Sequence, residues 1–134
     1  FQMERPPLPA VALTTDTSVL TAVGNDYGFE EVFARQVRAL ACEQDVLVGI
    51  STSGGSPNVI RALETAGESG AYRIGLTGSR GGAIVTNSET VFQVPSEVTA
   101  LIQEIHIALG HMICRMTDYY LFEAVEELNA QEGA

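Results

Sequence analysis

Apolar and polar positions along this chain alternate between short apolar runs and longer amphipathic stretches. Four runs read as strands: Ala10–Thr14 as a short buried strand, Asp45–Ile50 as a buried one, Arg73–Thr77, and Thr90–Val94, which Pro95-Ser96 closes. Helical periodicity fills the intervals. Asp16–Val23 predicts a short helix. Phe29–Ala41 predicts a longer one, with Val32, Phe33, Val37 and Leu40 on one face and Glu30, Glu31, Arg35 and Arg38 on the other. Pro57–Glu68 carries Val59, Ile60, Leu63 and Ala66 at helical spacing, and Ser69-Gly70 stops it. From Glu97 to about Leu128 one long amphipathic helix is expected, followed by a frayed tail from Gln131 to Ala134. Pro6, Pro7 and Pro9 make the start of the chain extended. Strands alternating with helices predict an α/β fold, a mainly parallel sheet with helices on both faces. At 134 residues this is a single domain. Ligands of such sheets bind beyond the carboxyl ends of the strands.

One strand end stands out. After Val48-Gly49-Ile50 come Ser51-Thr52-Ser53-Gly54-Gly55-Ser56, and a helix begins at once with Pro57. The first turn of a helix has N–H groups without intrahelical partners and the positive end of the helix dipole. Glycines let an anion approach the backbone, and Ser and Thr hydroxyls add donors. An ordinary capped helix, with Ser56 as N-cap and Pro57 in the first position, explains those two residues. It leaves three consecutive hydroxyl residues unexplained, so phosphate binding is the better reading. The loop is not a P-loop, because no Gly-Lys-Ser/Thr occurs and all seven basic residues are arginine. No Gly-x-Gly-x-x-Gly follows a strand either. A small phosphorylated molecule is therefore expected, rather than a nucleoside triphosphate or a dinucleotide.

Charge narrows the choice further. The formal net charge is −10, which disfavours nucleic acid and anionic membranes as partners. A phosphate must then be held by local dipoles. Cys42 and Cys114 lie in helical patterns without a CxxC pair, and read as reduced core or near-core residues of a cytoplasmic protein. No apolar run reaches membrane-spanning length, and Phe1–Pro7 holds no apolar signal segment. The chain opens without an initiator methionine, and a preceding N-terminal piece is expected.

Both histidines fall in Gln103-Glu104-Ile105-His106-Ile107-Ala108-Leu109-Gly110-His111. Gln103, Ile107 and His111 share a stripe of the helix, with His106 about 140° from His111 around its axis. By spacing alone the histidines fit satisfied core or interface residues better than metal ligands. Asn25-Asp26 after Gly24 are ordinary turn formers that could also hold sugar hydroxyls at a strand-end crevice.

Taken together, Gly24-Asn25-Asp26, Ile50-Ser-Thr-Ser-Gly-x-Ser56, Leu76-Thr-Gly-x-x-Gly-Gly82, Val94-Pro-Ser and Ile102-Gln-Glu-Ile-His106, in this order and spacing, resemble a sugar isomerase (SIS) domain of the phosphoheptose isomerase family. The similarity covers about residues 5 to 125. It implies a flavodoxin-like three-layer αβα sandwich and a homotetramer with active sites at subunit contacts. It also implies conversion of sedoheptulose 7-phosphate into glycero-manno-heptose 7-phosphate, for heptose and lipopolysaccharide supply. By the resemblance, Ser51, Thr52, Ser53 and Ser56 hold the phosphate, and Asn25 and Asp26 contact substrate. Gln103 touches substrate and zinc, and His111 is the catalytic or zinc-binding histidine. Since eight helical residues rise about 12 Å, Gln103 and His111 reach a common zinc only if a partner subunit supplies one of them; otherwise one alone is a ligand.

Three departures accompany the likeness. The family's Asn-Gly-Gly-Ser segment, and the helix after it that bears a His and a Glu, have no counterpart here, so half of the active site and the first strand are expected to be missing. Gly55 stands where Asn is common, and Leu101 where Arg is usual. Two other functions stay open. One is a non-enzymatic SIS protein that binds the bacterial replication initiator, which Arg5–Ala10 through Thr21-Ala22 resembles. The other is a sugar-phosphate-sensing SIS domain of a regulator. His111 and Gly24–Gly28 favour the enzyme.

Overall fold

A computed structural model describes residues 4–124. The chain divides into two compact units, one of Ala12–Gln103 and one that joins Phe1–Val11 to Glu104–Ala134.

In the first unit, helix α1 spans Thr17–Asp26. Asp16 caps it, its carboxylate accepting the Val19 N–H at 3.0 Å. The helix runs past the expected end at Val23, so Gly24-Asn25-Asp26 form its last turn rather than a loop. The turn is completed when the Tyr27 N–H bonds back to the Val23 carbonyl at 2.9 Å. Phe29–Ala41, expected as one helix, is broken into a 3-10 turn over Phe29–Glu31 and helix α2 over Ala34–Leu40. Glu31 of that turn bonds Arg61 at 3.1 Å.

Strand β1 spans Val46–Ile50, helix α3 Pro57–Glu68, strand β2 Tyr72–Thr77 and strand β3 Thr90–Gln93. The strands form a parallel sheet in the order β1-β2-β3, with Ile50 beside Leu76 and Leu76 beside Phe92. An α/β fold with a parallel sheet is therefore what the hydrophobic pattern encodes. Helix α3 seats closely on β1 because Gly49 has no side chain. A Cβ there would stand 3.0 Å from a Leu63 methyl and 3.1 Å from one of Val59. Val37, Ala62, Ala66 and Ala71 form the core between α2 and α3, with Leu13, Phe33, Ala41 and Leu47 against it. Small alanines let the two helices approach while their burial supplies the apolar contact. Leu40, expected on the buried face, is exposed instead, at the end of the short α2.

Two strand expectations change. Ala10–Thr14 is not a strand: it forms no ladder, and Leu13-Thr14 belong to a turn. A strand needs a partner for its backbone groups, and the sheet offers this segment none. β1 is not buried throughout. It is an edge strand paired with β2, and its alternate residues Val46, Val48 and Ile50 are exposed, while Gly49 is buried. Arg73 and Glu89 secure the start of β3. The guanidinium and backbone N–H of Arg73 both donate to the Glu89 carboxylate. Those bonds pull the Glu89 pKa down to about 2.

Helix α4 spans Thr99–Asp118 and continues as a π-helical turn over Tyr119–Glu123. Its expected extension to Leu128 and the tail from Gln131 lie outside the described residues. In the second unit Arg5 pairs with the buried Asp118, and its guanidinium sits 5.8 Å over the Phe122 ring. Cys42 and Cys114 are free, and both are exposed rather than in the core. Cys42 follows the end of α2 and bonds Gln44 and Asp45. Among the described residues no helix is long and apolar enough to cross a membrane.

Candidate functional site

Each parallel strand hands its chain to a loop at its carboxyl end, and backbone hydrogen bonds tie these loops together. The Ser51 N–H donates to Leu76 at 3.0 Å, and the Gly78 N–H to Thr52 at 3.1 Å. The Ile84 N–H reaches the Gly54 carbonyl at 2.9 Å, and the Ser79 N–H that of Ser96 at 3.0 Å. The buried Thr77 hydroxyl donates to the Gly81 carbonyl at 3.1 Å. The crossing is so close that glycine is required. Gly54 has φ +67, and a Cβ there would lie 1.7 Å from the Gly81 carbonyl oxygen. Gly82, at φ +69, would meet the Gly54 carbonyl oxygen at 2.5 Å. The sequence run Gly78–Gly82 thus builds a platform for the hydroxyl loop.

On that platform the hydroxyls gather. The Ser51 hydroxyl, buried, lies 2.8 Å from that of Ser56 and 3.4 Å from that of Ser53. The Gly55 N–H donates to the Ser53 hydroxyl at 3.3 Å, and the Ser56 N–H to that of Ser51 at 3.4 Å. Ser56 occupies the N-cap position of α3, but its side chain makes no capping bond. It turns to Ser51 instead. The plain capped-helix reading therefore accounts for the position of Ser56 and not for its hydroxyl. Such a set of hydroxyls in front of a helix N-terminus is chemically suited to an anion.

Beside the loop is a cleft of about 160 Å³ lined by Thr52, Ser53, Ser79, Arg80, Ser96, Glu97, Thr99 and Ile102. The sequence motifs assign a binding role to Thr52 and Ser53 and none to the other six, although Ser96 and Ile102 stand within those motifs. The signal was available, since Ser79-Arg80 follow β2 and Ser96-Glu97 follow β3 at the same end of the sheet as Ser51–Ser56. The Arg80 guanidinium bonds Glu97 at 3.0 Å, which holds the Glu97 carboxyl below its ordinary value.

Asn25 and Asp26 are exposed at the end of α1, with the Asn25 amide donating to the Asp26 carboxylate at 2.8 Å. Arg35 stacks 3.9 Å over the neighbouring Tyr27 ring. Gln103 is exposed on α4 and belongs to the unit of the loops. His106 and His111 lie in the other unit; His106 is 5% exposed, whereas His111 is open to solvent. A catalytic zinc takes three protein ligands. Among the described residues no group of three or more His, Cys, Asp or Glu is placed to hold a metal.

A parallel α/β sheet with hydroxyl and glycine loops at the carboxyl ends of its strands defines the class of open-sheet α/β domains. Within that class this chain belongs to the SIS domain family, whose model matches residues 1–78. It is similar to the phosphoheptose isomerase of Solidesulfovibrio magneticus, with 60% identity over 96% of this chain and 62% of that protein. To the enzyme of that name from Nitratidesulfovibrio vulgaris it is 58% identical, over 93% of this chain and 60% of the relative. Among solved structures, a phosphoheptose isomerase from Francisella tularensis superposes with a TM-score of 0.84 at 47% identity, covering 88% of this chain and 63% of that one. One from Neisseria gonorrhoeae gives 0.77 at 55% identity, over 79% and 60%. The chain spans about three fifths of the length of the curated relatives it matches.

Proposed function

We propose that the protein carrying this chain is a cytoplasmic sugar-phosphate isomerase. It converts sedoheptulose 7-phosphate to glycero-manno-heptose 7-phosphate for heptose and lipopolysaccharide biosynthesis. The observation that carries this reading is the hydroxyl cluster of Ser51, Ser53 and Ser56 at the start of α3. It occurs in a chain 60% identical to a relative named phosphoheptose isomerase.

The chemistry assigns each residue a task. Ser51, Thr52, Ser53 and Ser56 hold the phosphate through hydroxyls and helix-start N–H groups, since an acidic chain gives a phosphate no long-range attraction. Asn25, Asp26 and Gln103 position the sugar. A base removes a proton from C1 while the C2 carbonyl oxygen gains one, giving an enediol. The O1 proton then leaves as C2 is protonated, and the aldose forms with no net change of atoms or electrons. His111 is the base, because a neutral imidazole near pH 7 both takes and returns a proton. Zinc is part of the proposal only with ligands beyond Gln103 and His111, and no step here passes through it.

Turnover of sedoheptulose 7-phosphate by the complete gene product is the expected result. No turnover, together with binding of the bacterial replication initiator, would replace this reading with the initiator-binding one.

The protein assembles as a homotetramer through α4. Ile105, Ile107, Met112, Met116, Tyr119, Tyr120 and Leu121 are exposed along α4 and the π-helical turn after it, a band wider than one buried stripe. Light scattering should give a mass of two or more, and at full assembly four, subunits. A stable monomer would contradict it.

A further inference from the structure

We infer that Arg80 is the cation that meets the phosphate in this cleft, and that Glu97 holds it until the phosphate arrives. The inference rests on the phosphate reading above and adds to it a charge-partner exchange. Arg80 is the one basic residue among those lining the cleft with Thr52 and Ser53, and Glu97 is the one acid. Their 3.0 Å bond joins two exposed groups, with side chains 73% and 62% accessible. A pair so open to water is held weakly and is readily exchanged.

The backbone beneath the two groups is fixed. The Ser79 N–H donates to Ser96 at 3.0 Å, the Gln93 amide to the Ser79 carbonyl at 2.6 Å, and the Gly82 N–H to the Arg80 carbonyl at 2.8 Å. A fixed root with an exposed guanidinium suits a group that moves between two partners. A phosphate carries more charge than a carboxylate and offers the guanidinium two oxygens at once. On exchange Glu97 returns to water, where an exposed carboxylate is fully solvated. The pair also gives selectivity. Without an anion to claim Arg80, the cleft presents a neutral ion pair to a neutral sugar.

The two residues therefore predict effects of opposite sign. In the complete protein, Arg80→Gln should weaken the binding of inorganic phosphate by ~10-fold or more, because a charge-assisted contact is lost and Glu97 is left to repel the anion. Glu97→Gln should tighten it by ~3-fold, because Arg80 is released and the repulsion is gone, and raised salt should reduce that gain. Arg80→Lys should recover part of the affinity. If the pair were only structural, both variants would break the same bond and shift affinity in the same direction. Calorimetry with inorganic phosphate reads these changes, with the Ser53→Ala, Ser56→Ala variant alongside. If the serine variant loses phosphate while Arg80→Gln and Glu97→Gln move together or not at all, the exchange is wrong and the phosphate loop stands. If the unaltered protein binds no phosphate, both fall.

Discussion

On the proposed role of His111, turnover of sedoheptulose 7-phosphate by the complete protein should fall by ~10²-fold or more in His111→Asn, the usual worth of a general base. Asparagine keeps part of the size and hydrogen bonding of histidine but takes no proton near pH 7. His111 is exposed on α4, so the change opens no cavity and removes little apolar burial. Fold, assembly and phosphate affinity should therefore persist. The loss should fall on kcat rather than on KM, because only the proton transfer is affected. His106, 5% exposed, is the contrasting site. His106→Asn should show its effect in stability or assembly first. Equal turnover with and without His111 would remove it from the role of base.

Phosphate binding should weaken by ~2 kcal/mol or more, roughly 30-fold, in the Ser53→Ala, Ser56→Ala double variant. The structure makes this a clean test. Ser56 occupies an N-cap position, where losing a capping serine ordinarily costs about 1 kcal/mol of helix stability. Here the Ser56 side chain makes no capping bond, so α3 has none to lose. The hydroxyl instead joins Ser51 at 2.8 Å. Removing it takes away a donor while leaving the helix start intact. Isothermal titration with sugar phosphate and thermal unfolding, run on the same samples, separate the two effects. Unchanged affinity, or soaked crystals with the phosphate away from Ser51–Ser56, would sink the assignment.

Several features were legible because their causes are local. The bounds of α3, Pro57 to Glu68, follow from proline in the first position, an apolar stripe, and the stop at Ser69-Gly70. β1, β2 and β3 each stand within a residue or two of the runs that announced them. Asp16 is a cap that the pattern placed at the very start of its helix. The hydroxyl loop in front of α3 was legible as well, because hydroxyls, glycines and helix start are written in consecutive residues.

Other features depended on partners far away in the chain. Ala10–Thr14 has the composition of a strand but forms none, since backbone pairing is settled by neighbours and not by composition. The hydroxyl of Ser56 could cap its helix or turn to Ser51, and only the folded loop decided between them. Cys42 and Cys114 look like core residues by helical phase and are exposed.

By itself, then, the sequence determined the parallel α/β class, the three strands, α3 and the hydroxyl loop, through periodicity and turn residues that act over a few positions. The tertiary structure alone decided that Gly54 and Gly82 let two loops cross. It also decided that Arg80 and Glu97, 17 residues apart, meet at one cleft. Such contacts have no local signature, because parallel strands bring their carboxyl ends together only after the sheet has formed.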